Sequence, residues 1–233
     1  MLAHMGFGTR KQVRDFIRQG NVRKNGETVR QHGTKINVEK DIITVNGEPI
    51  EYREFIYLML NKPQGYISAT FDSYDETVID LLPFDYIHFE PFPVGRLDKD
   101  TEGLLLLTND GKVAHILTSP NRAIEKTYYA HISGKVTEEH IEQFSAGVTL
   151  DDGYVTQPGQ LEILSSDDIS EIHLTITEGK FHQVKRMFQA VDLKVIYLQR
   201  VRMGNIVLDD ELALGEVREL NDHELTYIEH LKQ

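Results

Sequence analysis

The chain contains no cysteine. Disulfides, thiolate zinc sites and cysteine nucleophiles are therefore excluded, and the composition fits a reducing compartment, the cytoplasm. No apolar run is long enough to span a bilayer, and no signal-peptide pattern stands at the start. The ten histidines are scattered and none falls in a His-Glu-x-x-His or similar spacing, so no metal site is expected. There is no internal repeat and no low-complexity tract. What remains is 233 residues of ordinary globular composition, room for one large domain or a small one joined to a medium one.

Charge is unevenly placed. The whole chain carries −12, but residues 1–48 hold nine Lys/Arg against five Asp/Glu, a net of +4 that leaves −16 on the rest. A basic head on an acidic body suggests a polyanion-binding module. In the head, Thr9 can cap a helix over 10–19 that Gly20 ends. Val13, Phe16 and Ile17 share its apolar face, while Arg10, Arg14 and Arg18 stack along another, with Lys11 beside them. No acid at i+4 neutralises that row, and Arg23 and Lys24 follow closely, so phosphate binding is favoured over a merely solvated face. A strand at 22–24 enters an Asn25-Gly26 hairpin turn, and a second at 42–45 leads to Asn46-Gly47. Residues 49–54 are polar and aperiodic and read as a linker.

The body, residues 55–233, is expected to hold strands near 55–60, 66–69, 104–107, 125–133, 161–164, 171–177, 195–201 and 206–208. Short helices are expected at 77–82, 112–117 and 137–144, with a last one from Asn221-Asp222 to about 231. Strands outnumber helices and do not alternate with them, which predicts an α+β fold on a mostly antiparallel sheet with flanking helices.

Three segments could carry chemistry. Gly95-Arg96-Leu97-Asp98-Lys99-Asp100-Thr101-Glu102-Gly103 precedes four leucines and the turn Asn109-Asp110-Gly111. The leucines read as a buried strand, so Asp98 stands at its mouth, fixed and partly shielded from water, as a catalytic carboxylate needs. Charged loops are usually only solvated, so this segment decides nothing alone. In Glu178 to Phe188, a glycine leads into a helix with Phe181, Val184, Phe188 and Val191 as the expected buried stripe. His182, Lys185, Arg186 and Gln189 fall opposite, a basic cluster that can hold phosphate or keep a carboxylate ionised. In the strand Glu125-Lys126-Thr127-Tyr128-Tyr129, Lys126 and Tyr128 share one face and Tyr129 takes the other. One tyrosine is expected in the core and the other can line a cleft as a stacking platform for an unpaired base.

Residues 2–11 and 17–26 resemble the S4 RNA-binding domain. The chain starts inside the first helix of that resemblance, so a shortened helix is expected there. Gly-Arg-Leu-Asp-Lys-Asp-Thr-Glu-Gly at 95–103 with the following leucines, Leu60 to Tyr66, Glu125 to Tyr128 and Glu178 to Phe188 together resemble the pseudouridine synthases that modify bacterial ribosomal RNA. The wording His182-Gln-Val-Lys-Arg-Met-Phe188 is similar to the small-subunit (16S) branch. The large-subunit (23S) branch tends to carry Asn-Arg-Gln and Arg in place of Phe181-His182-Gln183 and Lys185. Asp192 stands where the family usually has a helix-ending glycine.

The resemblance implies a small α/β S4 domain over 1–48 and a catalytic domain over 55–233. It implies a cofactor-independent isomerisation of uridine, the family target being uridine 516 of 16S RNA. Asp98 would be the catalytic aspartate, Tyr128 the tyrosine against the target base and Lys185 the partner that keeps Asp98 charged. RNA contacts are expected from Arg10, Lys11, Arg14, Arg18, Arg23 and Lys24 in the head, and from Arg96, Lys99, Lys126, His182, Gln183 and Arg186 in the body. The expected substrate is ribosomal RNA in a precursor of the 30S particle, bound by a monomer. A 23S-specific synthase and a non-catalytic assembly factor are the alternatives. A glycoside hydrolase is disfavoured, because Asp100 is poorly spaced to pair with Asp98 on one sugar.

Overall fold

A computed structural model describes all 233 residues, which divide into two compact units. The first comprises 1–56 and 83–90. Its helix α1 (Arg10–Arg18) starts at a capping box in which Thr9 and Gln12 satisfy each other's backbone. Val13 and Ile17 bury against Leu2, Val22, Val29, Ile43 and Val45. The sheet is β1 (Val22–Lys24), β2 (Glu27–Thr28), β3 (Ile43–Val45) and β4 (Glu48–Ile50), in the order β2-β1-β3-β4. Both Asn-Gly pairs take positive φ, as a two-residue hairpin turn requires. The expected linker therefore begins as strand, because Asn46-Gly47 turns 48–50 back onto β3. The expected opening helix is reduced to hydrogen-bonded turns over residues 2–6, one of them closed by Met5 N–H donating to Met1 O at 3.1 Å. A short helix, α2 (Phe84–Ile87), also belongs to this unit.

The second unit carries a nine-stranded sheet. Its main path is β13 (Val217–Glu219), β5 (Tyr57–Lys62), β7 (Glu102–Thr108), β11 (Lys194–Met203), β8 (Lys126–Ser133), β10 (Ile169–Ile176) and β9 (Gln160–Ser165). Two short strands complete it, β6 (Phe92–Pro93) on β7 and β12 (Ile206–Val207) on β11. Helices α3 (Gly111–Thr118), α4 (Glu138–Ala146), α5 (Gln183–Gln189) and α6 (Asp222–Leu231) flank it. Every pair is antiparallel except β7 with β11. The four leucines of β7 are buried on both faces, with Leu104 and Leu106 packed against Val113, Leu117 and Ile228 of α3 and α6.

The parallel pair positions the site. Strands β7 and β11 run parallel, with Glu102 at the start of β7 opposite Gln199 midway along β11, and the loop before β7 meets helix α5 through Lys185. Gly103 lies opposite Arg200 at φ +97°, and a Cβ on it would overlap the Arg200 carbonyl. Two expected elements do not form. Residues 66–69 make only one bridge, Ile67 to Thr77. Residues 77–82 form turns, because Asp80 Oδ2 accepts from both Thr77 N–H and Thr77 Oγ1, and the segment before Pro83 is too short to nucleate a helix.

Candidate active site

Asp98 sits on a loop tied down from behind. Leu97 is buried and exchanges two 3.0 Å hydrogen bonds with the Ser68 hydroxyl. Lys62, at the end of β5, has no exposed surface. Its ammonium donates to the carbonyls of Pro63 (3.0 Å), Asp98 (3.1 Å), Thr101 (2.9 Å) and, more weakly, Lys99 (3.5 Å). A loop whose carbonyls converge on one cation has little freedom, and it aims the Asp98 side chain away from that cation into a cleft. The cleft is lined by Arg96, Asp98, Tyr128, His182 and Lys185 among others.

Helix α5 supplies the opposite wall. Lys185 Nζ donates to Asp98 Oδ2 at 3.2 Å and to Asp100 Oδ1 at 2.6 Å. Burial disfavours this ammonium, but the bonds to Asp100 and Asp98 outweigh it and hold its pKa above the ordinary lysine value. The same Lys185 bond holds Asp100 below the usual carboxylate range. His182 Nε2 stands 3.5 Å from Asp98 Oδ1. Its backbone is left-handed (φ 48°), an uncommon state for a residue without a glycine's freedom.

Tyr128 lines the cleft from the centre of β8, buried, between Lys126 and Ala130 on one sheet face. Two buried cations share that face. Lys126 donates to Ile124 O at 2.9 Å, and Arg200, 2% exposed, donates through Nε to Leu104 O at 2.8 Å. Neither has a carboxylate partner, and the Arg200 Nη2 has no hydrogen-bond partner at all. Tyr128 therefore stands beside two buried cations that no carboxylate neutralises.

These cations carry a pH signature. Burial, with Arg200 adding, pushes Lys126 down to about 8 from 10.5. Burial likewise pushes Lys62 down to about 8, against the pull of Asp100, Asp98 and Glu102. Both groups hold protons less tightly folded than unfolded, so between about pH 8 and 10.5 the unfolded chain binds more protons and stability rises with pH. Burial raises Tyr57 to about 12, which lowers stability above pH 10 and closes the window there. The urea midpoint is expected to be higher at about pH 9.5 than at about pH 7.5, and Lys126→Met should shrink that difference by roughly half. An equal rise in the variant would remove Lys126 from the account.

Residues 56–190 match the RNA pseudouridylate synthase family and residues 1–43 match the S4 domain. The chain belongs to the RNA pseudouridylate synthases. It is 49% identical to an uncharacterized RNA pseudouridine synthase of Bacillus subtilis, over 97% of this chain and 95% of that one. It is 40% identical to two named enzymes. One is the ribosomal small subunit pseudouridine synthase A of Escherichia coli, over 91% of this chain and 90% of the other. The other is the ribosomal large subunit pseudouridine synthase B of Bacillus subtilis, over 97% and 92%. Among solved structures, a pseudouridylate synthase crystal structure aligns with a TM-score of 0.69 at 39% identity, covering 99% of this chain and 96% of that one.

In this synthase several residues expected to touch RNA are occupied otherwise. Gln183 is buried and donates to Glu178 Oε1 at 2.6 Å, as part of a hub in which Tyr154 OH also donates to Glu178, at 2.7 Å. Lys126 is buried, as described. Arg186 donates to Asp151 at 2.7 Å and pairs with Asp152 at 2.7 Å. Lys99 pairs with Asp75 at 2.6 Å, Lys24 with Asp41 at 2.8 Å, and Arg18 with Asp15 at 3.3 Å, three residues away on α1. The expected stripe on α5 is shifted. Gln183, Val184, Met187 and Phe188 are buried while Phe181 is 72% exposed, because the left-handed His182 breaks the helical phase before residue 183. By contrast Arg10, Lys11, Arg14, Arg23 and Arg96 are exposed and have no acidic partner. Lys62 and Arg200 are the residues that the sequence did not single out. Asp192 does take the left-handed conformation a glycine would favour (φ 59°), and Leu193 N–H closes the helix on Phe188 O at 3.0 Å.

Proposed function

We propose that this synthase converts uridine 516 of small-subunit (16S) ribosomal RNA to pseudouridine, with Asp98 as the catalytic carboxylate. The observation that carries the catalytic assignment is the position of Asp98, with Lys185 at 3.2 Å and His182 at 3.5 Å on separate oxygens, in a cleft with Tyr128 on its wall. The reaction breaks N1–C1′ of the uridine, forms C5–C1′, moves the C5 proton to solvent and adds one to N1. Nothing is oxidised and no group is gained. It needs an anion beside an electron-poor sugar carbon, an everted base and an aromatic wall for that base. Asp98 supplies the anion, Lys185 pairs with it, and Tyr128 faces the uracil.

The choice of 16S over 23S RNA rests on Phe181-His182 and Lys185 in place of Asn-Arg and Arg, since the identity to each kind of named enzyme is the same. The substrate is a precursor of the 30S particle in the cytoplasm, and the enzyme acts as a monomer. The test is release of tritium from RNA labelled at uridine C5. A synthase releases it without freeing uracil; a hydrolase frees uracil; a binding factor does neither. Mapping pseudouridine in both ribosomal RNAs of cells lacking the protein then identifies the target, and loss confined to 23S RNA would overturn the 16S assignment.

In the head, Arg10, Lys11 and Arg14 present positive charge free of acids, whereas Lys99 and Arg186 in the body are paired. Salt-dependent affinity therefore belongs mainly to the head. Changing Arg10, Lys11 and Arg14 together to glutamine is expected to flatten the plot of log affinity against log salt by about 2, at roughly 0.7 per lost phosphate contact. An unchanged slope would place the RNA elsewhere.

A further inference from the structure

Phe181 is an exposed aromatic ring in a place where burial was available. Its neighbours Val184, Met187 and Phe188 are buried, and a phenyl left in water forgoes about 1.5–3 kcal/mol. The ring is not loose. It stacks on His182 with 3.7 Å between centroids and 18° between planes. The backbone beneath it is held on both sides. Lys180 N–H donates to Gln183 Oε1 at 2.8 Å, Gln183 N–H donates to Lys180 O at 3.2 Å, and Arg186 Nη1 donates to Phe181 O at 3.4 Å. Gln183 is itself fixed by Glu178. His182 lines the cleft and reaches Asp98, whereas Phe181 is not part of the cleft lining. The pair is thus a fixed two-ring stack whose inner ring touches the candidate carboxylate and whose outer ring faces solvent.

We propose that Phe181 is a base-binding subsite that stacks an unpaired nucleobase flanking the target uridine. This rests on the reading of Asp98 and Tyr128 above. Asp98 acts at the sugar of the target nucleotide and Tyr128 receives its base, so a base on the free face of Phe181, one ring farther from Asp98 than His182, belongs to a neighbour. Phenyl and imidazole planes 3.7 Å apart have the spacing of stacked bases, and a nucleobase on Phe181 extends the column by one layer. Stacking on an aromatic side chain tolerates any base and is worth about 1–3 kcal/mol. The left-handed His182 is the cost of turning both rings out of the helix phase.

The probe is a synthetic RNA copying the segment around uridine 516, with 2-aminopurine placed in turn 5′ and 3′ of the target. On binding the wild-type protein, fluorescence should be quenched at one of the two positions. Phe181→Ala should abolish that quenching and raise KM about 5- to 150-fold, with kcat at saturating RNA changed less than threefold. Phe181→Trp should restore both, and Phe181→Leu should not. Wild-type KM and quenching in Phe181→Ala, or full rescue by leucine, would overturn the subsite. Failure of the wild-type protein to form pseudouridine at this position both in this RNA and in 30S precursor particles would overturn the target assignment instead. The quenching difference between wild type and Phe181→Ala, read by binding alone, would still decide the stack.

Discussion

Asp98→Asn is expected to lower pseudouridine formation at least a thousandfold, about 4 kcal/mol of barrier, with little change in thermal stability. Asparagine keeps the shape of the side chain and removes its charge, so under the proposed mechanism it deprives the sugar carbon of its anion. The fold should tolerate this. The Asp98 side chain is partly exposed and its bond to Lys185 is the longer of two. The ammonium stays paired with Asp100 at 2.6 Å, and partly solvated pairs contribute at most about 1 kcal/mol. The informative control is Asp100→Asn. By distance alone Asp100 is the main partner of Lys185, yet it is the more exposed of the two carboxylates and does not line the cleft. Its loss should free Lys185 to bind Asp98 alone and change turnover less than about tenfold. Near-normal turnover in Asp98→Asn, or a larger loss in Asp100→Asn, would move the chemistry to the other carboxylate.

How much of this site is legible in the sequence follows from how local each feature is. Strand β7 is plain, because four leucines between Gly103 and Asn109-Asp110-Gly111 leave no other way to bury them. Helix α1 is equally plain from Thr9, its apolar triplet and Gly20. Alternation along β8 places Lys126 and Tyr128 together and Tyr129 opposite, as found. The misreadings occur where a backbone state or a distant partner decides. Periodicity alone puts Phe181 in the stripe of α5, and only the left-handed His182 shifts the phase. Arg186 and Lys99 read as free cations because Asp151, Asp152 and Asp75 are 24 to 35 residues away in the chain. Lys62 reads as part of a turn before Pro63, yet most of its acceptors come from residues 98–101. No local pattern reports a cage assembled from two segments.

That cage sets the second large effect. Lys62→Met keeps the stem and its volume but removes the ammonium. Two opposing terms follow. Taking away a charge that burial already disfavours, as the pKa of about 8 shows, returns roughly 3 kcal/mol. Stranding the carbonyls of Pro63, Asp98, Thr101 and Lys99 costs about 1–3 kcal/mol each where no water reaches them. The loss wins while the loop stays in place, and the melting temperature should then fall by about 5–15 °C, at some 2–4 °C per kcal/mol for a chain of this size. The loop can instead swing its carbonyls to solvent, which spares stability. In that case Asp98, carried on the same loop, leaves its place opposite Lys185, and kcat should fall a hundredfold or more while RNA affinity, which the proposed contacts of the head and Phe181 supply, stays within threefold. Either stability or turnover must therefore be lost. A Lys62→Met protein with both intact would show that the cation does not hold the Asp98 loop, and the fixed carboxylate would need another support.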